Sequence, residues 1–124
     1  MEFNFDWDCI SAGAPYITIS ETGLAFNLPA INLLNNPEEV MLGFDKGKNT
    51  IGVKSADGID DIQKFTFYSR LKSGWIRIGC KDFTRYLSML TGIKFSPAKK
   101  YIAEFDNEEK LLYVTVVDSE EVTE

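Results

Sequence analysis

Histidine is absent from this chain, which removes Ser-His-Asp and Cys-His catalysis and the usual histidine metal ligands. Cysteine is scarce. Cys9 and Cys80 are the two present, too few for a four-ligand zinc site; with no export signal ahead of them they read as reduced thiols of a cytoplasmic protein. Long apolar runs are also missing. The longest stretches, around residues 28–34 and 111–117, fall far short of the ~20 residues that cross a bilayer as a helix. Met1-Glu2-Phe3-Asn4 lacks the basic start of an export leader. Membrane and export classes are thereby set aside. What is there is ordinary globular composition: 124 residues, 44% hydrophobic and 26% charged, about one domain in length.

The net charge of −6 argues, taken alone, against a polyanionic partner, but the charges are segregated. Residues 1–62 carry three basic and ten acidic side chains, residues 63–103 nine basic and one acidic, and residues 104–124 one basic and eight acidic. Asp82 is the only acid of the middle segment. With a screening length of ~8–10 Å, separated patches act independently, so an acidic protein can carry a local positive face. The alternative is intramolecular pairing, with the middle cations opposite acids of the flanks. The acidic tail 118–124 reads as a frayed end, the alternative being a cover over the basic face that competes with an anionic ligand.

Phe3-Asn4-Phe5-Asp6-Trp7-Asp8-Cys9 alternates apolar and polar, the pattern of a strand with one buried face. Strands are expected at 16–20 and 24–26, joined through Glu21-Thr22-Gly23. Asn27 is placed to cap a short helix, with Pro29 in its first turn and Ile31 and Leu34 as its buried stripe. A hairpin follows over 40–44 and 50–54, then a polar connector over 55–62 with Asp57, Asp60 and Asp61. The second half repeats the order: a strand at 64–68, a turn over 70–74, a partner strand at 75–78, and a helix over 81–90 with Phe83, Leu87 and Leu90 at helical spacing. Gly92 stops that helix, and strands at 101–106 and 111–117 close the chain.

The expected architecture is therefore an α+β single domain over 1–124. Duplicated β-β-α-β-β units, residues 15–55 and 64–117, pack as a pseudo-twofold barrel-like sheet with two short helices and an extra N-terminal strand. Thr18 aligns with Thr66, Gly23 with Gly74, Ile31 with Phe83, and Phe44-Asp45 with Phe105-Asp106. The run Gly23, Leu24, Ala25, Phe26, Asn27, Leu28, Pro29 into a helix with Ile31 and Leu34, then Val40, Leu42, Phe44-Asp45 and Ile51, resembles the AbrB/SpoVT/MazE swapped-hairpin barrel. Two such units in one chain resemble its tandem, MraZ-like arrangement. The resemblance implies a small barrel and DNA-binding regulation.

The chemistry-bearing residues gather in the second unit. Read as a hairpin, 64–78 puts Tyr68 across from Trp75 and Thr66 across from Arg77, with Lys64, Arg70 and Lys72 nearby. Rings interleaved with cations are what a single-stranded nucleic acid needs, since bases stack on rings and phosphates take charges. Lys81 and Arg85, four apart, share a helix face, and Lys94, Lys99 and Lys100 extend the patch. A Tyr-Trp pair also braces a hairpin with no ligand at all.

Other motifs carry less. Asp57, Asp60 and Asp61 lack EF-hand spacing, and Asp6 and Asp8 read as a solvent-facing row. Gly43, Gly47 and Gly52 surround a hairpin and open no phosphate loop. Cys80, near a helix start with Lys81 and Arg77, has neighbours that lower a thiol pKa, yet without a base or a second cysteine it reads as structural.

The sequence thus points to a non-enzymatic nucleic-acid-binding protein, with no metal or cofactor and no membrane partner. It contacts phosphates through Lys64, Arg70, Lys72, Arg77, Lys81 and Arg85 and stacks bases on, or braces itself with, Tyr68 and Trp75. The competing reading is a protein-interaction or structural accessory module, meeting a protein partner through its acidic first half or an exposed sheet edge.

Overall fold

Period-two alternation and local turn chemistry produce nine strands and two helices over residues 14–116, the part of the chain that this computed structural model describes. The expected N-terminal strand with Asp6, Asp8 and Cys9, and the acidic tail 118–124, lie outside the described residues.

Strands β1 (Tyr16–Ile19) and β2 (Gly23–Asn27) form a hairpin. Its turn is closed by Ser20, whose amide donates to the Gly23 carbonyl at 2.9 Å and whose hydroxyl accepts from the Gly23 amide at 3.2 Å. Helix α1 (Leu28–Leu33) follows without a linker because Asn27 ends the strand and caps the helix together. Its Oδ1 accepts from the Ala30 amide at 3.2 Å and from the Tyr16 amide at 2.9 Å, while its Nδ2 donates to the Ala14 carbonyl at 2.8 Å. One side chain thus supplies a free amide of the first helical turn and ties the helix to β1. Strands β3 (Glu39–Asp45) and β4 (Thr50–Ser55) form the second hairpin, its turn held by Asp45 Oδ1 accepting from Gly47 and Lys48.

The second half holds β5 (Phe65–Thr66), a 3-10 turn (Tyr68–Arg70), β6 (Trp75–Gly79) and α2 (Lys81–Thr91). Gly92 ends α2 at φ 75°, a left-handed geometry that glycine adopts without Cβ strain. Then come β7 (Lys99–Ile102), β8 (Glu104–Asp106) and β9 (Leu111–Thr115).

All strand pairs are antiparallel, in a four-stranded sheet ordered β6-β2-β1-β7 and a five-stranded sheet ordered β5-β3-β4-β9-β8. The core lies between them. Ile17, Ile19, Leu24, Phe26, Ile76 and Ile78 come from one sheet, and Val40, Ile51, Val53, Leu112 and Val114 from the other, all at most 2% exposed. Burial of each such side chain favours folding by ~1.5–3 kcal/mol. Ile31 of α1 and Leu87 of α2 join the same cluster.

Three expectations are corrected. The 64–78 hairpin does not form: β5 is two residues long and pairs with β3, Thr66 facing Glu39, while β6 pairs with β2, Trp75 facing Asn27 and Arg77 facing Ala25. The reason is Phe67. Its fully buried ring meets Phe26 edge-on at 5.1 Å, and the backbone breaks there (φ −124°, ψ −80°) into the 3-10 turn, so the strand cannot continue to Tyr68. The strand expected at 101–106 is split at buried Ala103, where the chain leaves one sheet for the other. In α2, Leu87 is buried as expected, but Leu90 is 40% exposed and Thr84 is buried instead, its hydroxyl donating to the Glu21 carbonyl at 2.9 Å.

Candidate functional site

Alternation along β6, β2 and β1 sends Ile76, Ile78, Leu24, Phe26, Ile17 and Ile19 into the core, so their neighbours face the other way. Two rows cross that outer face. Arg77, Ala25, Thr18 and Lys100 are successive cross-strand partners. Beside them run Trp75, Asn27, Tyr16 and Ile102, with Asn27 and Tyr16 joined by the amide-to-side-chain bond already described. Neither row contains a carboxylate.

The rings and cations are coupled at both sides of this face. The Arg77 guanidinium lies 5.8 Å from the Trp75 ring centre, and the Lys100 ammonium 4.5 Å from that of Tyr16, within the range of cation–π attraction. Arg77 and Lys100 sit on the outermost strands, three inter-strand spacings or ~14 Å apart. Between them the floor is small: Ala25 is 7% exposed and Thr18 half-buried. Ile102 is 62% exposed at the β7 end of the aromatic row.

The residues singled out from sequence divide into three groups. Trp75 and Arg77 are brought together, with Lys72 tied to Trp75 by mutual backbone hydrogen bonds of 2.9 and 3.0 Å. Lys81 and Arg85 are exposed on one face of α2, Arg85 lying 4.0 Å from Asp82. Lys64, Tyr68 and Arg70 belong to neither row. Lys64 is half-buried beside the five-stranded sheet, its Nζ 3.8 Å from Glu39 Oε1; Tyr68 is 41% exposed on the 3-10 turn; and the Arg70 Nε donates to the Thr66 carbonyl at 3.1 Å.

Of the nine middle-segment cations, Lys64 alone is paired with a flanking acid and Arg85 with Asp82; among the described residues the other seven have no carboxylate within 4.0 Å. Among the described residues, the intramolecular neutralisation weighed from the sequence is thus realised at Lys64 alone. Tyr16 completes the site and is missed by a reading centred on residues 64–100. Its alternation with Ile17 and Ile19 already marks it as outward-facing, but its partnership with Lys100 comes from the β1–β7 pairing.

Burial agrees with the structural reading of Cys80 and outweighs the cationic neighbours that would lower its pKa. Removal from water pushes its thiol up to about 11, only partly opposed by a backbone hydrogen bond from Leu24. The thiol is therefore protonated and unreactive at neutral pH. Among the described residues no group of three His, Cys, Asp or Glu is placed to hold a metal ion, and no helix is long and apolar enough to cross a membrane. Comparison with family profiles, curated proteins and solved structures finds no match to this chain.

Proposed function

We propose that this chain is a non-enzymatic nucleic-acid-binding protein that holds a single strand on the outer face of its four-stranded sheet. The observation that carries this reading is the pair of ring-and-cation sets, Trp75 with Arg77 and Tyr16 with Lys100, on either side of a small-residue floor without carboxylates. Bases stack on the two rings, and Arg77 and Lys100 take the adjacent phosphates. Contacts of this kind read charge and shape more than base identity.

Fluorescence anisotropy with labelled single- and double-stranded oligonucleotides at low ionic strength tests this. Single strands should bind more tightly, and log affinity should fall linearly with log salt. Trp75→Ala or Tyr16→Ala should each weaken binding by ~1–3 kcal/mol, the measured range for base stacking. Salt-insensitive binding, or none, rejects the proposal.

We also read the two halves as repeated units related by a pseudo-twofold axis. The pairings support it apart from the β1–β2 hairpin, which has no counterpart because β5 and β6 do not pair. If β1, β2, β4 and β3 correspond to β5, β6, β9 and the β7–β8 run, then β1–β7 matches β5–β3 and β3–β4 matches β8–β9, while β2–β6 and β4–β9 each join equivalent strands.

One observation favours the protein-interaction reading instead. Tyr86, Met89 and Leu90 of α2 are 41%, 74% and 40% exposed, and Ile62 is 48% exposed. Tyr86 and Ile62 line a recess of about 480 Å³ with Leu42, Phe65 and Phe83. If that patch is the working surface, Met89→Lys disrupts function and oligonucleotide binding is absent.

A further inference from the structure

The outer sheet face accounts for Arg77 and Lys100 but leaves Lys81, Arg85 and Lys94 unused. These three line one groove of about 680 Å³ between α2 and the β1–β2 turn. The groove is built by hydrogen bonds that fix the helix against the turn: the Cys80 amide donates to the Thr22 carbonyl at 2.9 Å, and the buried Thr84 hydroxyl to the Glu21 carbonyl at 2.9 Å. Lys81 and Arg85 stand one helical turn apart on the wall that α2 supplies. Lys94 comes from the loop after α2, which is tied back to the helix by the Ser88 hydroxyl donating to the Ile93 carbonyl at 2.7 Å.

Three cations from two separate segments thus meet, among the described residues, over one lining carboxylate, Glu21. Asp82, 4.0 Å from Arg85, is fully exposed and competes weakly with a ligand. The groove also adjoins the first site. The β1–β2 turn that forms its wall ends the two central strands of the sheet, β6 runs through Arg77 into Lys81, and Lys99 at the start of β7 pairs with Ile19 beside that turn.

We propose that this groove is a second phosphate site, which takes the backbone of the same nucleic-acid strand after it leaves the sheet. The inference rests on the sheet-face reading and extends it: a short strand occupies the sheet alone, and a longer one reaches both. Anisotropy titrations with oligothymidylates of about 4 and about 12 nucleotides separate the two, lengths at the low and upper parts of known single-strand site sizes.

The double variant Lys81→Ala/Lys94→Ala should weaken the longer strand about tenfold at low salt and reduce its salt slope by about 1.4, the value for two phosphate contacts on a single strand. The shorter strand should bind as it does to the unmodified chain. Equal weakening of both lengths, or no change in either, overturns the groove while leaving the sheet face standing. Failure of the unmodified chain to bind either length overturns both.

Discussion

Gly23 and Gly79 face each other across β2 and β6 but carry different constraints. A Cβ at Gly23 would run into the Ile78 carbonyl oxygen, whereas one at Gly79 meets nothing within 4 Å. Gly23→Ala is therefore expected to cost about 1–3 kcal/mol, the range for overpacking against a fixed backbone, and Gly79→Ala to stay within about 0.5 kcal/mol. Urea denaturation of the two variants checks the contrast. Cys80 makes a pH-dependent contribution of definite sign. Its thiol is raised from 9.0 to about 11 in the folded chain, so ionisation favours the unfolded state. The contribution is fully present below about pH 9 and is lost as pH rises toward about 11. Cys80→Ala should flatten the fall in urea midpoint across that window, and the native thiol should resist alkylation at pH ~7. Asp57 is an example of a residue whose local pattern misleads. Read as part of a solvated connector, it accepts from the Glu38 and Glu39 amides at 3.2 and 2.9 Å and anchors the start of β3.

Elements formed by neighbouring residues are legible in the chain. The cap at Asn27, the stop at Gly92 and the hairpins β1–β2 and β3–β4 all follow from side-chain chemistry within a few positions. Asn27→Ala removes the α1 cap together with the tie to β1, and a loss of about 1–2 kcal/mol in unfolding free energy is expected. Asn27→Asp keeps the acceptor and loses the donor to Ala14, so it should fall between the two. Thr84 was hidden in α2 because its partner, the Glu21 carbonyl, is remote in sequence. Thr84→Val keeps the shape and leaves that carbonyl unpaired, an expected cost of about 1–3 kcal/mol. The β5–β6 misreading has the same origin. Two adjacent amphipathic stretches look like a hairpin, but burial of Phe67 against Phe26 turns the chain, and each stretch finds its partner elsewhere.

For the whole molecule, segregation of charge is the property with functional consequences. The net charge of −6 coexists with a sheet face and a groove dominated by cations, so binding to a polyanion should be steeply salt-dependent and local. Arg77→Glu with Lys100→Glu should abolish single-strand binding at all sequences tested while leaving the far-ultraviolet circular dichroism unchanged, since both side chains are exposed. By itself the sequence determined the α+β class, the two capped helices, the two local hairpins and the excess of cations in residues 63–103, because each depends on periodicity, turn chemistry or composition over short spans. Only the tertiary structure decided which cations meet which rings. Trp75 keeps Arg77 from its own strand, but Tyr16 meets Lys100 across β1 and β7, and Lys64 is drawn to Glu39 in the other sheet. Those choices are made by antiparallel pairing between distant segments, driven by burial of the inner isoleucines and phenylalanines, and the outward residues are carried along with them.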